Sequence, residues 1–123
     1  TNILKIALKG KTLGGDTTFT FISIRILKAE TDLYTDKTLS TLEVPLQTND
    51  SITTVVFNYT EKTKLVSDSL VVGYRNELRV ISIDCGAYLY QHDIQVPKTN
   101  FEKARVTTSV LLTTDKKNLE IFL

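Results

Sequence analysis

Cys85 and His92, the chain's single cysteine and single histidine, stand seven residues apart in the stretch RVISIDCGAYLYQHDIQV (79–96). A thiolate nucleophile needs a base within about 3 Å and a third group that orients the base. Along one extended strand, at about 3.3 Å per residue, the two side chains would lie roughly 20 Å apart. They are therefore not expected to form a catalytic dyad. Two readings of Cys85 stay open: a small apolar filler of the core, or half of a disulfide whose partner lies outside this segment.

His92 is followed by Asp93, and neighbours on a strand point to opposite faces, so these two are no natural ligand pair. Zinc would need further His or Cys ligands, and the sequence has none to supply. Glu30, Asp32 and Asp36 crowd one polar loop where oxygens could surround a calcium ion. No EF-hand spacing accompanies them, and the plainer reading is a solvated acidic loop. Nothing in the placement of the 14 acidic residues selects a facing pair for acid and base work. TLGGD (12–16) has two glycines but no following helix, and neither a nucleophile elbow nor a Ser-His-Asp pattern is present. We assign no catalytic residue, no metal ligand and no cofactor. Tyr74, Tyr88 and Tyr90, with Tyr59, could form a sugar-stacking platform, although tyrosines on strands are more often half-buried packing residues.

The elements that must position these residues read as β-structure. Threonine, valine and isoleucine are frequent and alanine is scarce, a bias suited to a pleated, half-buried backbone. ILKIAL (3–8) is a first strand, closed by the glycine-rich GKTLGGD (10–16). TTFTFISIRIL (17–27) is a long strand with apolar residues on both faces, hence central or changing partner along its length. KAETDLYTDKT (28–38) is expected to be a loop, LSTLEVPL (39–46) a strand whose Pro45 favours an edge or bulge, and ITTVVFNY (52–59) another strand. DSLVVGYR (68–75) and LRVISI (78–83) read as a hairpin with its tight connection at Asn76 and Glu77. AYLYQHDIQV (87–96) follows after a break at Asp84-Cys85-Gly86, where Gly86 relieves the backbone. FEKARVTTSVLL (101–112) is ambiguous between a strand and a helical turn at 101–106, and NLEIFL (118–123) closes the chain. Eight or nine short strands with turn signals about every ten residues predict an all-β antiparallel sandwich, immunoglobulin-like or jelly-roll-like, in a single domain over 1–123.

The 123 residues suffice for a hydrophobic core without a metal or disulfide. A net charge of +1, with Lys and Arg dispersed, gives no field for capturing nucleic acid or an anionic membrane. No run of about 18 apolar residues reads as a membrane span. The chain has no Met, initiator included. We therefore read Thr1 as the start of a trimmed mature segment, which leaves room for a removed export signal or a lipid-anchor region upstream.

LYTDKTLSTLEVPL (33–46), DSLVVGY (68–74), RVISIDCGAY (79–88) and the terminal LEIFL (119–123) together resemble the blocks of an uncharacterised family of Bacteroidota outer-membrane lipoproteins, a domain of unknown function. The CG block at Cys85 and Gly86 is the most specific part, and the likeness covers about residues 17–123. The resemblance implies export, cleavage at a lipobox cysteine upstream of Thr1, and a lipid anchor on the outer membrane, at its periplasmic or cell-surface face. It also implies a further upstream cysteine as the natural disulfide partner of Cys85. Export gives meaning to Asp16-Thr17-Thr18, Asp50-Ser51-Ile52 and Asp68-Ser69-Leu70, which resemble the Bacteroidota O-glycosylation triplet and would place glycans on Thr17, Ser51 or Ser69. Their plainer reading is turn and strand-start chemistry, the side chain bonding its own backbone.

The function expected on these grounds is a non-enzymatic accessory or binding module of the cell envelope. Its partner would be another envelope protein, such as an outer-membrane β-barrel or its assembly machinery, and not nucleic acid. The alternative is a glycan- or small-ligand-binding sandwich, and the third reading a hydrolase using two carboxylates across a cleft.

Overall fold

The structure, a computed structural model, describes residues 3–10, 14–84, 86–111 and 116–123. Strand β1 (Ile3–Lys9) is apolar nearly throughout and takes a central place, between β4 (Thr41–Pro45) and β9 (Leu119–Phe122), with β8 (Lys103–Val106) on the far side of β9. The second sheet runs β3 (Tyr34–Leu39), β2 (Phe19–Ile26), β5 (Ile52–Glu61), β6 (Lys64–Ser82), β7 (Gly86–Thr99). The two sheets close over one continuous cluster: Leu4, Ile6, Leu8, Val44, Leu119 and Ile121 from the first meet Phe21, Ile24, Val55, Phe57, Leu70 and Val72 from the second. Each such side chain contributes about 1.5–3 kcal/mol by leaving water. The fold is the expected β-sandwich, with one parallel pair in it. Strand β1 lies parallel to β9, Ile6 beside Leu119 and Lys9 beside Phe122, so the chain's first and last strands share the centre of one sheet.

Three local expectations are corrected. The polar stretch 28–38 is a loop only in its first half. Tyr34–Leu39 adds to the edge of β2 by backbone bonding and a Thr20–Thr38 hydroxyl pair at 2.7 Å, which an exposed edge strand can do without an apolar face. Asn76 and Glu77 make no turn, since they lie inside the 19-residue β6, opposite Gln91 and Tyr90 of β7. The hairpin turns at Ile83 and Asp84, and β7 starts at Gly86, whose φ of 75° suits the residue that has no Cβ. Finally, the ambiguous 101–106 region resolves as strand β8, paired with β9 from Lys103↔Phe122 to Val106↔Leu119.

Glu120 of β9 ties this sheet together on its outer face. Arg105 of β8 stands directly opposite and donates from Nε at 2.9 Å and from its Nη2, while Lys9 Nζ of β1 lies 3.5 Å from Oε2. The Arg105 guanidinium holds the Glu120 carboxyl below its ordinary value, against a smaller opposing effect of burial. A depressed folded value means the stabilisation is present above the unfolded carboxylate's range and is lost as pH falls through the folded one. Glu120→Gln is therefore expected to cost under about 1 kcal/mol at neutral pH. Urea midpoints of the two proteins should converge as pH falls below the folded-state value of Glu120; a difference that persists there would mean the loss is packing and not charge.

Candidate functional site

Strand β6 carries a possible meeting place for another molecule at each of its ends. At the Lys64 end its core-facing alternation runs Val66, Asp68, Leu70, Val72, Tyr74, and the last three are buried. Asp68 thus stands at an inward position, opposite Phe57 in the register, where the pattern calls for an apolar residue. Glu61 is next in the alternation of β5 after Phe57 and Tyr59, but lies exposed at the rim. A cleft of about 320 Å³ opens here between the two sheets, walled by the rings of Phe19, Tyr59, Phe101 and Phe122. The carboxylates of Glu61, Asp68 and Glu102 border it.

The cleft is held by local bonds that the sequence supplies at close spacing. Ser69 donates from both its backbone N–H and its hydroxyl to Asn100 Oδ1, each at 2.9 Å, and Asn100 N–H returns to Ser69 O at 3.0 Å. Thr99 Oγ1 donates to Ser69 O and accepts from Phe101 N–H. This corner sets Phe101 edge-on to Phe57, ring centres 5.2 Å apart. Tyr59 packs edge-on against Phe19 at 5.1 Å and donates its hydroxyl to Asp68 Oδ2. Burial, followed by the bond to Asp68 and the nearby carboxylates of Asp68 and Glu61, pushes the Tyr59 hydroxyl up, so that it stays a donor.

At its other end β6 leaves the sandwich. Pairing with β5 stops at Ile52↔Gly73, yet β6 continues to Ser82 with β7 alone beside it. Two bulges in β7 mark the departure, where the register slips between Val71 and Gly73 and again between Gly73 and Arg75. The first accommodates Pro97, which has no N–H for a ladder, and the second contains Asp93 at φ 54°. Beyond them Leu78, Val80 and Ile83 are 69%, 73% and 100% exposed. Among the described side chains, the charged groups of the other face of this two-stranded arm neutralise one another. Glu77 meets His92 at 3.3 Å and Arg79 at 3.5 Å, Arg75 meets Asp93 at 3.5 Å, and the Arg79 guanidinium lies 3.8 Å over the Tyr90 ring.

The residues singled out from the sequence fall in different places. Cys85 and the side chain of Tyr88 lie outside the described residues. Tyr74 is not part of any exposed platform: it is 5% exposed, donating its hydroxyl to Gln47 O at 2.6 Å and sharing a 2.8 Å bond with Thr53. Tyr90 is half-buried, stacked on His92 at 4.9 Å as well as on Arg79. His92 and Asp93 do not take opposite faces; the bulge at Asp93 brings its carboxylate within 3.5 Å of His92 Nδ1. Thr17 is half-buried and bonds Thr18 O, Ser69 is locked to Asn100, and Ser51 is exposed at the start of β5, its N–H bonded to Asp50 Oδ1. Glu30, Asp32 and Asp36 are exposed, and among the described residues no group of three or more His, Cys, Asp or Glu is placed to hold a metal ion.

The sequence reading missed the arm and the cleft. The cleft had a signal, Asp68 interrupting the apolar period-two run of β6, but the triplet reading of Asp68-Ser69-Leu70 absorbed it. In comparison with known proteins, residues 21–123 match the model of a family of unknown function, DUF6452. No curated protein matches, and no solved structure matches.

Proposed function

The chain belongs to the DUF6452 family of unknown function, and on that premise we propose, from its geometry, a non-enzymatic accessory module of the bacterial envelope that docks through its β6–β7 arm. The observation that carries the reading is the arm's investment of Leu78, Val80 and Ile83 in solvent. A lone two-stranded ribbon is marginal in water, and apolar side chains grouped on it contribute little until something covers them. The self-neutralised polar face speaks against an anionic surface as the occupant. Among the described residues no strand pairs with β6 on the β5 side beyond Gly73, where Tyr74 N–H and Asn76 Nδ2 still reach Ser51 O and Asp50 O. The open edge past them favours a protein that adds a strand there and buries the apolar side chains beside it.

The partner in this proposal is another envelope protein, an outer-membrane β-barrel or a component of its assembly machinery. The blocks quoted above support a lipid-anchored, Bacteroidota-type protein with the anchor upstream of Thr1 and a disulfide from Cys85 to an upstream cysteine. The sugar-platform alternative loses Tyr74 to the core, and with it much of its motivation.

Leu78→Ser with Val80→Ser changes only exposed positions and should leave stability within about 0.5 kcal/mol. Purified from native membranes, wild type and a Leu65→Ser control, altered at an equally exposed leucine of the β5–β6 hairpin, are expected to retain one shared partner that the double variant loses. Equal recovery of that partner by all three proteins, or recovery of each protein alone, would remove the arm from the proposal.

A further inference from the structure

We propose that the cleft between the sheets binds an organic ammonium ion, its charge held by Asp68 and Glu61 and its apolar stem by the surrounding aromatic rings. The site is separate from the arm: Asp68 and Leu78 are ten positions apart along β6, roughly 33 Å of extended strand, so neither reading depends on the other.

Size comes first. At about 320 Å³ the cleft sits at the small end of ligand sites and suits an alkylamine or one side chain. Its charge then disfavours anions, since three carboxylates line it and no Lys, Arg or His is among the described lining residues. Its hydrogen-bonding balance separates an ammonium from a neutral sugar. The Tyr59 hydroxyl donor is already committed to Asp68, so the two N–H donors of the Asn100 amide stand against the three lining carboxylates. Among the described residues, Tyr59 is the one donor to the inward-facing Asp68 carboxylate. What the site offers is a surplus of acceptors, which a group with three N–H donors and no acceptor satisfies.

The rings complete the match. Aromatic faces attract cations and shelter a hydrocarbon stem, and the Phe122 ring, one wall of the cleft, already attracts an ammonium in this way: Lys103 Nζ stands 4.6 Å from its centre. Phe101, Phe122 and Tyr59 are largely buried. They can wrap a narrow aliphatic chain more readily than present a flat, open face to a sugar ring.

The ligand's source is either a free alkylamine or the lysine side chain of a peptide, and the probes separate them. Butylammonium, acetyl-lysine methylamide and butanol would each be titrated into the purified chain while amide NMR signals of Asp68, Phe101 and Phe122 are followed. Saturable shifts with butylammonium support the proposal, as do shifts confined to the lysine derivative, which would assign the site to peptides. Asp68→Asn should weaken binding about tenfold or more, the loss of one hydrogen bond to a charged group. Glu61→Gln, at the exposed rim, provides the same test should Asp68→Asn disturb the Tyr59 contact. Butanol binding as tightly as butylammonium, no saturable shift with either amine, or unchanged amine affinity in both variants would overturn the proposal.

Discussion

Asn118→Ala is expected to cost about 2–4 kcal/mol of folding stability, because it removes three hydrogen bonds that one buried side chain makes to backbone groups of two segments. Asn118 is 2% exposed and precedes β9. Its Oδ1 accepts the Lys5 N–H at 3.0 Å, and its Nδ2 donates to Thr108 O and Val110 O, both at 2.9 Å. Its own backbone joins the same strands, donating to Lys5 O at 2.8 Å and accepting from Thr107 N–H at 2.8 Å. The segment fastened in this way continues to the second sheet, where Ile94 N–H donates to Ser109 O and Leu111 N–H to Gln91 O. One amide thus helps strap the two halves of the sandwich together. Alanine keeps the backbone bonds and removes the three side-chain bonds to the Lys5 N–H and the Thr108 and Val110 carbonyls. Asn118→Asp keeps the acceptor but sets a carboxylate against the Thr108 and Val110 carbonyls. It should be as damaging at neutral pH and recover partly in acid, as the protonated group regains a donor. Urea unfolding of both variants, with hydrogen exchange at the Lys5 amide, measures this. A loss below about 0.5 kcal/mol for alanine would mean that water replaces the side chain at no cost.

The architecture was legible in the sequence wherever apolar residues kept a period. ILKIAL, TFTFISIRI, ITTVVFNY and NLEIFL all became strands, because burial on a sheet face enforces alternation and short apolar runs. Tyr34–Leu39 was not legible, since an edge strand exposed on its side chains is held by backbone bonds that leave no residue pattern. Asn76-Glu77 misled for a related reason. Turn-forming residue types say what a chain tolerates, whereas the continuous ladder from Arg75↔His92 to Val80↔Ala87 is a property of the partner strand. The same limit hid the arm: Leu78 and Val80 alternate with Arg79 as they would in a half-buried sheet. Only topology shows that, among the described residues, no second sheet lies beneath them. In the cleft, Asp68 and Glu61 were visible as types, but the inward position of Asp68 and its nearness to Glu61 follow from the register of β5 and β6, which single-strand reading does not contain.

Phe57→Ala should be the most damaging single change in the core, at about 3–5 kcal/mol. The ring is fully buried and is the shared member of two aromatic contacts, with Phe21 at 5.7 Å and 51° and with Phe101 edge-on at 5.2 Å and 79°. Removing it empties space between strands that pair on both sides of β5, so neighbouring backbones cannot close the gap without breaking register with β2 and β6. The cost therefore lies toward the upper part of the range, with the ring-on-ring contribution added to the cavity. A double-mutant cycle with Phe101→Ala isolates that contribution, expected at about 0.5–1.5 kcal/mol. The coupling also reaches the ligand reading. Phe101 is both the outer partner of Phe57 and a wall of the cleft, so a milder Phe57→Leu, folded at working temperature, should weaken butylammonium binding without touching a carboxylate. Urea midpoints give the stability and the same amide titration gives the affinity. Additive losses in the cycle would show that Phe57 and Phe101 pack independently, and the cleft wall would then owe nothing to the core behind it.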